Sequence, residues 1–205
     1  KWISFKIGWL FGFGYFVSNL YWITNALTFE EIFKPFIPFA LILIPLFLGI
    51  FYGFGTLICS FFNLEKNFST VLIFATIFSV IEFIRGFVLG GFPWNIIVYS
   101  WTNYLNSIQI LSLIGTYSFN LISITIFLLP FLIFFKTSIK LKVFFILFLL
   151  ILLICNNFYG YLKIKNDEKL YEEFENLKVK IISPKISIDS FFQPNNEGII
   201  IDELI

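Results

Sequence analysis

Histidine and methionine are both absent from the 205 residues, and cysteine occurs only at Cys59 and Cys155. Without histidine, every mechanism that needs an imidazole base or ligand within this chain is excluded. The two cysteines lie in separate apolar runs, too far apart for a CxxC-type zinc site or a compact disulfide framework. They read as small buried apolar side chains, and neither a metal nor a cofactor is expected. Methionine is missing even from the first position, where Lys1 stands, and no processing site of small residues precedes it. The chain is therefore expected to lack the true N-terminus of its translated form. Charge is scarce as well: 13% of residues are Asp, Glu, Lys or Arg, against about 25% in a soluble domain. The net charge of +1 gives no broad field that would attract nucleic acid.

What is abundant is apolar. Hydrophobic residues make up 59% of the chain, too many and too continuous for one soluble core. The 31 phenylalanines fit an AT-rich coding bias, as do the many Ile, Asn and Lys residues, so aromatic counts carry no argument. About 20 apolar residues at 1.5 Å rise cross the ~30 Å hydrocarbon core. The expected fold class is an all-α polytopic membrane protein of five transmembrane helices, at about 7–27, 36–62, 69–89, 107–135 and 143–160. Gly8, Gly12 and Gly14 in the first run, and Gly49, Gly53 and Gly55 in the second, repeat a spacing that lets helices approach closely. Gln109, Ser118, Asn120, Ser123 and Thr125 make the fourth run the most polar. Such density usually marks helix–helix contact. A charged, solvated linker, partly helical, is expected at 161–177. Residues 178–188, KVKIISPKISI, then read as a β-strand rich in branched side chains and stopped at Pro184.

The most informative stretch is EFIRGFVLGGFPWNIIVYSW, from Glu82 to Trp101. Glu82 and Arg85 stand three apart at the end of an apolar run, so on a helix they share a face and read as an ion pair. Charges in or near a bilayer cost roughly 2.5–3.5 kcal/mol each on insertion scales, so they need a partner or a purpose. An exposed helix pair of this kind is worth only about 0.3–0.5 kcal/mol. Gly90, Gly91 and Pro93 take the chain out of the helix. Trp94, Tyr99 and Trp101 are residues of the membrane–water interface. The candidate lipid-facing residues are Glu82, Arg85, Gly91, Pro93, Trp94 and Tyr99, with the loop turned toward the headgroups.

E-F-I-R-G followed by G-F-P-W and Y-S resembles the apolipoprotein N-acyltransferase family. The likeness runs from about Gly8 to Ile188. It includes a glycine–aromatic run leading into Tyr21-Trp22, and Gln109 and Gly115 followed by Y-S-F-N at Tyr117–Asn120. The resemblance implies a bacterial inner-membrane enzyme carrying a nitrilase-like α/β domain. Its chemistry uses a Glu base, an oxyanion-stabilising Lys and a Cys nucleophile, with a thioester intermediate. The acyl donor would be a membrane phospholipid and the acceptor a diacylated apolipoprotein, with the enzyme a monomer. On that reading 178–205 is the truncated start of the nitrilase-like domain. The catalytic residues are expected beyond Ile205, and further spans before Lys1 and after the catalytic domain. Departures exist: Ser183-Pro184-Lys185 stands where the family usually has Gln-Pro-Asn or similar, and Phe191-Phe192 where a Lys-Trp pair often follows.

Basic residues set orientation. With Lys1 cytoplasmic, Lys6, Lys66, Lys136, Lys140 and Lys142 fall inside, and five spans place the C-terminal segment in the periplasm. Two alternatives stand beside the acyltransferase fragment. One is a non-enzymatic small membrane protein, a transporter or assembly factor with a polar path at Glu82 and Arg85. The other is an inactive remnant. In either case the 205 residues alone are expected to transfer no acyl group.

Overall fold

Apolar runs form helix through most of the chain in the computed structural model. It describes residues 1–62, 64, 68–135 and 137–173. Seven α-helices lie among the described residues: α1 (Trp2–Leu20), α2 (Ile37–Cys59), α3 (Phe68–Arg85), α4 (Leu105–Ile108), α5 (Leu111–Ile114), α6 (Thr116–Phe127) and α7 (Ile139–Glu173). The chain divides into two units, Lys1–Ile164 and Lys165–Ile205. The strand expected at 178–188, and the whole of 178–205, lie outside the described residues.

Among the described residues, three helices are long and apolar enough to cross a membrane: Glu31–Cys59, Phe68–Arg85 and Ile139–Glu168. The first of these joins a 3-10 helix, Glu31–Phe36, to α2. Pro38 sits in the first turn of α2, where a missing amide is harmless, while Pro45 is carried inside the helix.

Two of the expected spans look different. In the first, α1 ends at Leu20 and the chain continues as a 3-10 helix, Tyr21–Thr28. The fourth is not one helix. Gly115, at φ +76°, ends α5 and caps the start of α6. Beyond α6, Pro130 lies in another 3-10 segment, Leu129–Phe134, because it cannot supply the amide that would prolong the helix.

The glycine spacing read from sequence marks the α1–α2 seam. A Cβ at Gly12 would lie 2.9 Å from Gly49 Cα, and one at Gly49 would lie 2.9 Å from Phe13 N and Trp9 O. At this crossing backbone meets backbone. Trp9 Nε1 donates to the Leu46 carbonyl at 2.9 Å and Thr56 Oγ1 to the Ser4 carbonyl at 2.7 Å, closing the same seam. Behind it sits the core: Phe16, Leu48, Tyr52, Ala75 and Phe78 are buried together.

α7 is attached by polar contacts at its C-terminal half. Asn156 Nδ2 donates to the Ser107 carbonyl at 2.9 Å, and Ser107 Oγ to Asn157 Oδ1 at 3.0 Å. Many of its apolar side chains, among them Phe144, Leu147, Phe148 and Ile151, are exposed, which suits a helix surrounded by lipid. Cys155, expected to be buried, is exposed on this helix, whereas Cys59 is buried in α2.

Candidate functional site

The last turn of α3 carries Glu82 and Arg85, and both side chains are enclosed, with 0% and 1% of their surface exposed. A carboxylate removed from solvent must be hydrogen-bonded to persist. Tyr52, on α2, donates its hydroxyl to Glu82 Oε1 at 2.7 Å. Asn120, on α6, donates its amide nitrogen to Glu82 Oε2. Three helices therefore meet on one carboxylate. Asn120 uses its other end as well: its Oδ1 accepts from the Val98 amide at 2.9 Å.

Arg85 turns toward the loop. Its NH1 donates to the carbonyls of Phe92 at 2.7 Å and Trp94 at 3.0 Å. The guanidinium carbon lies 5.1 Å from the centroid of the Phe16 ring, within cation–π range. The expected Glu82–Arg85 ion pair is not made; among the described residues the recorded ion pair is Lys34 with Glu31. Helical spacing does place Glu82 and Arg85 on one face. That face points into the bundle, where neutral donors satisfy the carboxylate and loop carbonyls accept from one nitrogen of the arginine. The small energy of an exposed pair therefore does not apply.

The loop from Gly86 to Tyr104 is irregular apart from the short 3-10 helices Val88–Gly90 and Ile97–Trp101. It is fastened at several points. Tyr15 donates its hydroxyl to the Asn95 carbonyl at 2.9 Å, and Trp101 Nε1 donates to Ser123 Oγ at 2.9 Å. Trp101 also stacks on Phe127, with centroids 5.9 Å apart. Pro93, Trp94 and Tyr99 remain exposed, and Trp94 meets Trp22 edge-on at 5.9 Å. The six residues singled out in the sequence thus separate. Glu82 and Arg85 are buried, Gly91 is half-buried, and Pro93, Trp94 and Tyr99 lie at the surface.

Gly91 is required by its backbone. Its φ is +79°, and a Cβ there would lie 2.3 Å from the Gly86 carbonyl oxygen. Gly90 has a similar φ of +86°, but a Cβ there meets nothing within 4 Å. Gly91→Ala is expected to destabilise the loop by about 1–3 kcal/mol and to speed proteolytic cleavage between residues 86 and 104 in detergent. Gly90→Ala should show a clearly smaller acceleration. Equal cleavage rates for the two variants would count against the close approach.

Chemically, the cluster holds a carboxylate between a phenol and an amide. No thiol or amine is among its hydrogen-bond partners, so what it supports is position and not nucleophilic attack. Tyr52 was not found by sequence reasoning. Asn120 was read only as a helix contact, although the polar density around it was the one available signal.

Comparison with known proteins places this geometry. Residues 1–129, which include Tyr52, Glu82, Arg85, the loop and Asn120, match the model of the apolipoprotein N-acyltransferase N-terminal domain. Among curated relatives, the apolipoprotein N-acyltransferase of Brucella melitensis is 30% identical over 208 residues, covering 99% of this chain and 38% of the relative. That of Rickettsia prowazekii is 32% identical over 185 residues, covering 90% of this chain and 36% of the relative. The Agrobacterium fabrum protein of the same name is 36% identical over 128 residues, covering 62% of this chain and 24% of the relative. The chain thus spans less than two fifths of the length of these relatives. No solved structure matches it.

Proposed function

The chain belongs to the apolipoprotein N-acyltransferase family, and from that premise we propose that it forms the membrane-embedded part of an enzyme acylating lipoproteins in a bacterial inner membrane. The donor is a phospholipid and the acceptor the N-terminal amine of a diacylglyceryl-cysteine. The observation that carries this reading is the family match over a segment that contains the entire latch of Glu82, Asn120 and the loop. An acyl donor that lives in the bilayer has to be met at the membrane surface. A loop held rigidly from below, with Pro93, Trp94 and Tyr99 exposed, supplies a fixed surface there. In this reading the chain crosses the membrane five times as a monomer, with its C-terminal segment periplasmic. The Glu, Lys and Cys of the acyl transfer belong to a nitrilase-like part of such an enzyme that these residues do not span. Cys59 and Cys155 take no part.

The test is a chimera in which residues 1–205 replace the matching segment of the full-length Brucella melitensis relative. In a strain depleted of its own lipoprotein N-acyltransferase, the chimera should restore growth and N-acylated lipoprotein detectable by mass spectrometry. The 205 residues expressed alone should restore neither. A chimera that inserts and accumulates but leaves lipoproteins unacylated would refute the assignment, and rescue by the 205 residues alone would refute the division of labour.

A further inference from the structure

Arginine carries five N–H donors in a fixed fork and keeps its charge. Arg85 NH1 is occupied by the Phe92 and Trp94 carbonyls. Its Nε and NH2 are buried and have no acceptor among the described residues. Glu82 does not supply one, since its two oxygens accept from Tyr52 and Asn120 and it makes no ion pair with Arg85. Buried, unpaired charged donors are costly, so these two nitrogens call for an anion.

Arg85 lines a cavity of about 410 Å³ between α2 and the loop that follows α3, within the usual range for ligand pockets. Every other lining side chain is apolar: Leu43, Ile44, Phe47, Phe51 and Val88 form much of the wall. Leu43, Phe47 and Val88 are exposed, so the cavity opens on the flank of α2, a helix long and apolar enough to cross a membrane. An oxyanion recognised by a guanidinium fork, followed by a hydrocarbon chain that leaves through an apolar mouth, describes one chemical class.

We propose that this cavity holds a resident phospholipid, with one acyl chain along Ile44, Phe47 and Phe51 and its phosphate beside Arg85, whose enclosed Nε and NH2 reach it by a small turn of the guanidinium. No thiol, hydroxyl or amine lines the cavity, so this lipid is bound and not consumed. Its phosphate supplies the missing acceptors, and through Arg85 it stiffens the Phe92–Trp94 segment. The site is independent of acyl transfer and stands or falls separately from it.

The experiment uses the 205-residue chain in detergent micelles, incubated with equal amounts of phosphatidylglycerol and a diacylglycerol of the same acyl chains. Lipid retention is then read by native mass spectrometry. The unaltered chain should retain phosphatidylglycerol about tenfold over diacylglycerol. Arg85→Gln should reduce the preference to parity. Leu43→Trp plugs the mouth without touching Arg85 and should lose both lipids while circular dichroism stays unchanged. If Arg85→Gln fails to fold, Leu43→Trp decides alone. Equal retention of the two lipids by the unaltered chain would overturn the proposal, as would undiminished phosphatidylglycerol on Leu43→Trp. Displacement of the lipid by millimolar inorganic phosphate would show that the site takes free anion and not lipid, and would overturn it too.

Discussion

Replacing Glu82 with alanine is expected to destabilise the bundle by about 3–5 kcal/mol, the range for removing one member of a buried charged set. Three losses combine. The Tyr52 hydroxyl and the Asn120 amide each lose a buried acceptor, at about 1–3 kcal/mol apiece. Arg85, buried one turn away, loses the nearest negative charge. The terms overlap and are not to be summed. Cys59, buried in α2, reports the opening of the bundle. With Cys155 replaced by alanine, the temperature at which Cys59 becomes reactive toward a maleimide dye measures the change. Glu82→Gln keeps one acceptor but sets its own amide protons against an existing donor, so it should fall between wild type and alanine. A shift for Glu82→Ala no larger than that of an ordinary surface substitution, about 0.5 kcal/mol, would show that the carboxylate anchors nothing.

The second large effect lies at the α1–α2 seam. Gly12→Val with Gly49→Val places branched side chains where the neighbouring atoms include backbone, at 2.9 Å from each new Cβ. Backbone cannot swing away as the end of a side chain can. The helices must separate, and with them go the bonds from Trp9 to Leu46 and from Thr56 to Ser4. Overpacking costs typically about 1–3 kcal/mol per site, and two sites on one seam should reach the top of that range together or exceed it. Gly14→Val supplies the control, because a Cβ there meets nothing within 4 Å. The same Cys59 reactivity melt should separate the double variant from the control by many degrees. Matching melts would mean that the seam is not a close backbone crossing.

Much of this architecture was legible because it is local. Apolar runs, paired glycine spacings and the Gly90-Gly91-Phe92-Pro93 break each announce themselves within a few residues. The seam needed only the recognition that glycines at matching spacing admit a neighbouring helix, although Gly14 shared the spacing and serves no contact. The latch was not legible. Tyr52 and Asn120 reach Glu82 from 30 and 38 residues away, and nothing near Glu82 in the chain indicates which neutral group will meet it. Nor does periodicity reveal whether the face shared by Glu82 and Arg85 points outward or inward. That orientation turned an expected surface pair into two separate buried anchors. Gly115 was visible too, but glycine is common inside membrane helices, so its presence did not foretell the break between α5 and α6. At the other end, the charged residues after Tyr161 marked a change of environment, and the helix runs on through them to Glu173. Glu and Lys are good helix formers.

Asn120 limits which side chains its position can accept. It gives a hydrogen to Glu82 and takes one from Val98, both through one planar group. Aspartate could take but not give, and would set a second negative charge against Glu82. Leucine could do neither. Serine could do both but is too short to reach in two directions. Glutamine has the right group on a longer stem, and position 120 is fully enclosed, with no slack for an extra methylene. Asparagine fits both the chemistry and the length. Pro93, Trp94 and Tyr99, on the exposed side of the same loop, face no such double requirement.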